Sequence, residues 1–274
     1  MAQLLNENVQ KDTVCFKFSY NPGDTLIYQV YSADSISIDY GTPLIKERFE
    51  KIRIVCDSVS DRGTFFLTHE MISYRSYEKE LGSSAEKVKR EDHPWVGKKA
   101  YIEIDSLGKR LNVSNTEEPL YKLAPGGGFQ PYILFPINES CKAIGESWFL
   151  DETTDDLVEN ANPGALLRYS CLFRARDPID TLGYECNAFE YIKTGQGSLT
   201  TVYDLRPIKV SNVINSFGKM YVGKNINKPV HYYATIEQKL KFHFSKDEEI
   251  PIFHYVSSEF TLLKFISGKE SISD

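Results

Sequence analysis

Residues 231–243 alternate for thirteen positions. Tyr232, Ala234, Ile236, Leu240, Phe242 and then Phe244 share one face, interrupted only by Gln238; His231, Tyr233, Thr235, Glu237, Lys239, Lys241 and His243 form the other. Period two is the mark of a half-buried strand, because successive side chains point to opposite sides. At about 3.3 Å per residue these positions make a strand of roughly 43 Å, where about five or six residues is usual. A strand of that length needs neighbours of similar height and a sheet that curves. Residues 251–265 provide a second such stretch, and 245–249 are the expected connection, so the chain ends in a hairpin.

The same alternation recurs upstream. Val14, Phe16, Phe18 and Tyr20 alternate with Cys15, Lys17 and Ser19 before Asn21-Pro22-Gly23-Asp24 breaks the run. Leu26, Tyr28 and Val30 open another strand, which Ile36, Ile38 and Tyr40 continue. Ile52, Ile54 and Cys56 lead to a return strand with Phe65, Leu67 and Met71 on one face. His69 lies on that face and reads as a hydrogen-bonded core histidine. The charged stretch 77–94 reads as a long loop or short helix. Three segments carry the order Ile, Asp/Asn, Ser/Thr, Leu/Phe, Gly: 104–108, 179–183 and 214–218. An Asp or Asn that can bond its own turn, followed by a Gly that accepts positive φ, predicts a chain reversal in each. Asn115-Thr116-Glu117-Glu118 predicts the start of a short helix.

These patterns predict a mainly β protein of long curved antiparallel sheets, arranged as half-barrel or open-barrel lobes, with one or two short helices. The lobes are expected at 12–125 and 126–267, with one continuous domain as the alternative. Gly126-Gly127-Gly128 lacks the Gly-Lys-Ser/Thr ending of a phosphate loop and reads as the joint.

Composition excludes several classes. With a formal net charge of −6 and one broken basic run at Lys87-Val88-Lys89-Arg90, nothing resembles a nucleic-acid footprint. No apolar run approaches the ~20 residues of a membrane-spanning helix. The start Met1-Ala2-Gln3 has neither the basic nor the apolar stretch of a signal peptide. Met before Ala-Gln matches a mature secreted protein cut near an Ala-Gln junction, so the expected location is periplasmic or secreted, with the signal peptide already removed. No Gly-x-Ser-x-Gly elbow, His-Glu-x-x-His helix or Walker loop is present, and Asp151-Glu152-Thr153-Thr154-Asp155-Asp156 lacks the spacing of a calcium loop. Of the five histidines only His243 and His254 stand where a hairpin brings them together. No catalytic residue, metal site or cofactor is expected.

Five cysteines, Cys15, Cys56, Cys141, Cys171 and Cys186, form no Cys-x-x-Cys pair. Burial as thiols is one reading. The other joins Cys171 to Cys186 across the 177–183 reversal. A tight turn at 180–183 leaves Cys171 too far along its strand, whereas a wider loop near Pro178 brings the pair within the ~6 Å Cα separation a disulfide needs.

The words Gly23-Asp24-Thr25-Leu26-Ile27-Tyr28, Tyr101-Ile102-Glu103-Ile104-Asp105-Ser106-Leu107-Gly108-Lys109-Arg110 and Gly145-Glu146-Ser147-Trp148 resemble uncharacterised bacterial extracytoplasmic β-rich proteins. In style these are similar to the half-barrel lipoprotein-carrier superfamily, in which a curved antiparallel sheet holds an acyl chain on its concave face. The first and third words also echo each other and point to a distant internal repeat. The resemblance implies a non-catalytic binding or structural component of a bacterial envelope, holding a lipid or other apolar ligand. The apolar segment 129–137, which contains Pro131 and Pro136, is either a buried crossing or the lip of a ligand cavity. On the second reading Phe129, Tyr132, Phe135 and Tyr232 are the candidate ligand contacts. The alternative is a protein–protein assembly component that uses its sheet surface and Tyr residues. A hydrolase with a carboxylate pair comes third.

Overall fold

The computed structural model describes residues 12–115, 141–153, 166–203, 206–245 and 248–268. The strands are β1 (Thr13–Cys15), β2 (Thr25–Ile38), β3 (Leu44–Val59), β4 (Phe65–Glu80), β5 (Val88–Arg90), β6 (Lys99–Ile104), β7 (Arg110–Asn115), β8 (Cys141–Ala143), β9 (Ser147–Thr153), β10 (Leu166–Thr181), β11 (Tyr184–Tyr203), β12 (Arg206–Gly223), β13 (Lys228–His243) and β14 (Glu249–Ile266). Twelve of them form one antiparallel sheet in the order β7-β6-β4-β3-β2-β14-β13-β12-β11-β10-β9, with β5 attached to β4; β1 and β8 form a separate pair. The sheet is not closed into a barrel. No helix occurs among the described residues, and none there is long and apolar enough to cross a membrane. The expected helix after Asn115 and the joint at 126–128 lie outside the described residues.

Two meanders meet in the middle of this sheet. The first runs outward from β2 to β7; the second begins at the opposite edge, β9, and works inward to β14, which pairs with β2 from Ile252↔Ile38 to Ile266↔Thr25. Strands from both halves of the chain therefore share one sheet. The strand predicted at 231–243 is β13, whose burial alternates from Val230 to Gln238, and the terminal hairpin pairs His243 with Glu249.

The turn words behave in two ways. At Asp105 the carboxylate accepts from Leu107 N and Lys109 N, both at 2.9 Å, and Gly108 takes φ 81°. At 182–183 a two-residue turn has φ 52° at Leu182 and 81° at Gly183, the positive pair a type I′ hairpin needs. The third copy is not a turn. Asn215, Ser216, Phe217 and Gly218 lie inside β12 and pair with β11 on one side and β13 on the other. Gly218 is there to make room: a Cβ would fall 2.2 Å from the Tyr191 ring, which lies across from it on β11. The charged stretch after Tyr77 is also more regular than expected, since β4 continues to Glu80 and β5 pairs with it.

The tight turn at 182–183 decides the cysteines. It sets Cys186 opposite Ile179 and Cys171 opposite Lys193, so the expected Cys171–Cys186 bridge is not formed. The disulfide is Cys15–Cys141, which closes 126 residues through directly opposed positions of β1 and β8, while Cys56, Cys171 and Cys186 are buried thiols.

The two openings that echo each other in sequence share a hydrogen-bond scheme. Asp24 accepts from Asn21 N (2.9 Å) through its side chain, and Glu146 likewise from Ala143 N (2.8 Å). Asp24 N donates to Asn21 O and Glu146 N to Ala143 O. Gly23 N and Gly145 N reach the neighbouring strands at Cys56 O and Ala175 O, and Cys56 N and Ala175 N return to the carbonyls of Asp24 and Glu146. Gly23 and Gly145 take φ of 86° and 80°. Leu26 and Trp148 then enter the same core as Leu67, Ile102, Phe173 and Tyr232.

Candidate functional site

Because side chains alternate, one face of the sheet carries nearly all of its buried residues. This inner face has two zones. At the end where β2 begins, residues 13–20 lie against it. Val14, Phe16, Phe18 and Tyr20 are all buried, Phe16 and Phe18 meet edge to face, and Phe16 reaches Phe189. Tyr28 donates its hydroxyl to Pro229 O at 2.7 Å, which spares a fully buried phenol an orphan group. Tyr232 belongs to this zone. It is 1% exposed, packs against Phe260, and its hydroxyl lies 2.6 Å from that of Tyr191, with burial and then the Tyr191 hydroxyl driving its pKa up. The other expected ligand contacts, Phe129, Tyr132 and Phe135, lie outside the described residues.

Further along the same face the wall changes character. Ile214, Ile236 and Val256 form a separate apolar cluster with half-buried Tyr169 against it. Beside it runs a belt of buried polar residues from five adjacent strands: Asn212 (β12), Gln238 (β13), His254 (β14), Asp34 (β2), and Arg48 and Glu50 (β3). The Arg48 guanidinium grips Asp34 at 2.6 and 3.0 Å and reaches Glu50 at 3.3 Å. His254 Nε2 stands 3.1 Å from Asp34 Oδ1 and donates to it in the tautomer that carries its proton there. Burial pushes the Asp34 carboxyl up, but the His254 hydrogen bond and the Arg48 charge outweigh it and hold the group below its ordinary 3.8. Burial likewise opposes the Arg48 charge, and Asp34 and Glu50 more than restore it. Ser32 and Ser258 share a 2.7 Å hydrogen bond in the next row.

His69 is buried as expected, and burial alone lowers its pKa to about 3, so it stays neutral at any ordinary pH. His243 and His254 do not meet: His243 pairs with Glu249, and His254 faces Gln238 and Asp34. Among the described residues no three His, Cys, Asp or Glu side chains converge as a metal site would require.

Part of the belt was open to sequence reasoning. Gln238 is the single break in the apolar face at 232–244, and Asp34 is in phase with Leu26, Tyr28 and Val30. Arg48 and Glu50 carry no such signal, because residues 45–50 are charged or bulky on both faces.

No family model matches the chain, and no curated protein matches its sequence. Among solved structures it is similar to lipovitellin over 91% of its own length, at 9% identity and a TM-score of 0.48, and it spans 26% of that chain. It is also similar to a protein described as exported, with a YmcC-like fold, from Bacteroides fragilis NCTC 9343; 92% of this chain and 100% of that one are covered, at 11% identity and a TM-score of 0.29. A third likeness is to OccK2 of Pseudomonas aeruginosa, covering 89% and 100% at 8% identity and a TM-score of 0.23. Likenesses this remote carry no ligand and no residue role across to this chain.

Proposed function

We propose that this protein is a non-catalytic binding protein that works outside the cytoplasm and holds an amphiphile against the inner face of its half-barrel sheet. The observation that carries the reading is the two-part wall: Ile214, Ile236 and Val256 are apolar, and the belt from Asn212 to Arg48 beside them is polar. An apolar tail would lie on the first and a polar end on the second, as in binding sites that are mainly apolar with few placed polar groups. The Cys15–Cys141 disulfide supports the location, because such bonds persist in oxidising compartments. Native mass spectrometry of protein purified without detergent from an oxidising compartment tests the reading. A mass increment that extraction with organic solvent removes and identifies as lipid is the expected result; bare protein that gains no mass on exposure to lipid vesicles overturns it.

A second reading, assembly through the sheet surface, has one observation of its own. On the outer face Phe149, Leu172, Ile192 and Phe217 stand directly opposite one another across β9 to β12, and Phe149 and Ile192 are 69% and 59% exposed. Such a row would offer a contact surface to another sheet. Sedimentation of the wild type and an Ile192→Lys variant checks it: assembly that the variant abolishes supports this reading, and a monomer at all concentrations removes it.

A further inference from the structure

We infer that Asn212 and Gln238 form the head-group subsite of the inner face, and that it takes a neutral amphiphile whose head carries hydroxyl groups. The inference rests on the binding reading above and names the ligand class for it.

Asn212 and Gln238 are 8% and 5% exposed, and neither Asn212 Oδ1 nor Gln238 Oε1 has a hydrogen-bond partner among the described residues. A buried carbonyl left without a donor destabilises the fold, so such groups are few and each calls for an explanation. These two are neighbours. Gln238 faces Ile214 across the β12–β13 pair, and Asn212 lies two residues along β12, opposite Leu240. Positions diagonal in this way sit about 7–8 Å apart on the same face, within reach of long side chains. On the far side of Asn212 stands Gly197, which sets no side chain against it. The next glycine along β11 differs: at Gly195 a Cβ would fall 2.2 Å from the Tyr169 ring, so Tyr169 fills that space and borders the apolar cluster.

Electrostatics narrow the class. The orphan atoms are oxygens, which accept and ask for O–H or N–H donors. The Arg48 guanidinium stands three strands from Gln238 and is already engaged by Asp34 and Glu50, and the Lys193 ammonium lies 4.2 Å over the Tyr169 ring. An ionised carboxylate or phosphodiester has no proton to give to either carbonyl oxygen. A head group with hydroxyls supplies what both lack, and its tail then runs along Ile214, Ile236 and Val256.

The test is displacement of N-phenyl-1-naphthylamine from delipidated protein by 1-monooleoylglycerol, methyl oleate and oleate. The wild type is expected to prefer monooleoylglycerol over methyl oleate by about tenfold, the scale of one to two hydrogen bonds. The Asn212→Leu/Gln238→Leu variant is expected to lose that preference, keep its methyl oleate affinity and melt no lower than the wild type. If the double variant does not fold, Asn212→Val and Gln238→Met singly carry the same displacement test. Equal affinity of the wild type for monooleoylglycerol and methyl oleate, or a preference that survives the variants, overturns the subsite and leaves the binding reading standing. No displacement by any of the three overturns the binding reading itself.

Discussion

The turns at Gly23-Asp24 and Gly145-Glu146 make the same hydrogen bonds with the same backbone twist, yet they sit in opposite surroundings. Asp24 opens β2, in the middle of the sheet between β3 and β14, and is wholly buried. Besides its own turn it holds Gly268 N at 2.9 Å and the buried Lys228 ammonium at 2.9 Å, so one carboxylate gathers the start of β2, the start of β13 and the C-terminal end of the described chain. Glu146 opens β9, at the end of the strand order, and its side chain is 45% exposed, with only a 3.8 Å approach from Lys142. The leads into the turns differ too. Cys15 and Cys141 tie them together, but Phe16–Tyr20 has no counterpart after Cys141, and that extra length carries the aromatic residues lying on the inner face. A local sequence signature can thus specify a turn completely while its energetic weight is set by where the sheet places it.

The largest expected difference comes from the carboxylates. Asp24→Ala removes the carboxylate partner of the buried Lys228 ammonium and should cost about 3–5 kcal/mol. Glu146→Ala removes the hydrogen bond from Ala143 N and a 3.8 Å approach to Lys142, both made by a side chain 45% exposed, and should cost about 1 kcal/mol. Urea unfolding of both variants checks this, and equal losses would mean that position in the sheet does not matter. Acid sharpens the same contrast. Burial raises the Asp24 pKa, but the backbone N–H groups of Asn21 and Gly268 and the Lys228 ammonium outweigh it, and the net value lies below 3.8. Protons therefore bind the unfolded chain first, so this stabilisation is complete above the unfolded value of 3.8 and fades as pH falls through the lower folded value. Asp24→Asn should flatten the loss of melting temperature in that acid window.

Reducing the Cys15–Cys141 bond should come next, at about 2–4 kcal/mol, because it frees the leads of both turns from each other. Melting with and without reductant, with Cys15→Ser as the reference, measures it; unchanged melting would show that the β1–β8 pairing holds without the bridge. The smallest difference between the two turns belongs to the shared backbone. Gly23→Ala and Gly145→Ala should cost about 1–2 kcal/mol each, since both force a Cβ into positive φ. Here the two turns should match, and a large inequality would break the claim that they are the same device.

How far the sequence reaches follows from the range of each interaction. Alternation is local, so β13 and the terminal hairpin are legible in the residue pattern alone, as are the turns at Asp105–Gly108 and the paired openings. The word at 214–218 misleads because a turn and a strand that must accommodate a ring both call for glycine, and only the partner strand tells which. The true disulfide is invisible for the opposite reason. β8 is three residues long, too short for a periodic signal, and 126 residues separate the two cysteines. The polar belt is intermediate: parity places Asp34 and Gln238 inward, but Arg48 becomes the neighbour of Asp34 only once β2 and β3 are aligned.

The inner wall can be probed in place. Delipidated protein exposed to a diazirine-bearing monoacylglycerol, irradiated and mapped by peptide mass spectrometry shows directly where an amphiphile lies. Binding on the inner face predicts labels on the peptides of β12, β13 and β14 that carry Ile214, Ile236 and Val256, suppressed by excess unlabelled monooleoylglycerol. Labels confined to the outer row of Phe149 and Ile192, or none that competition suppresses, would contradict it.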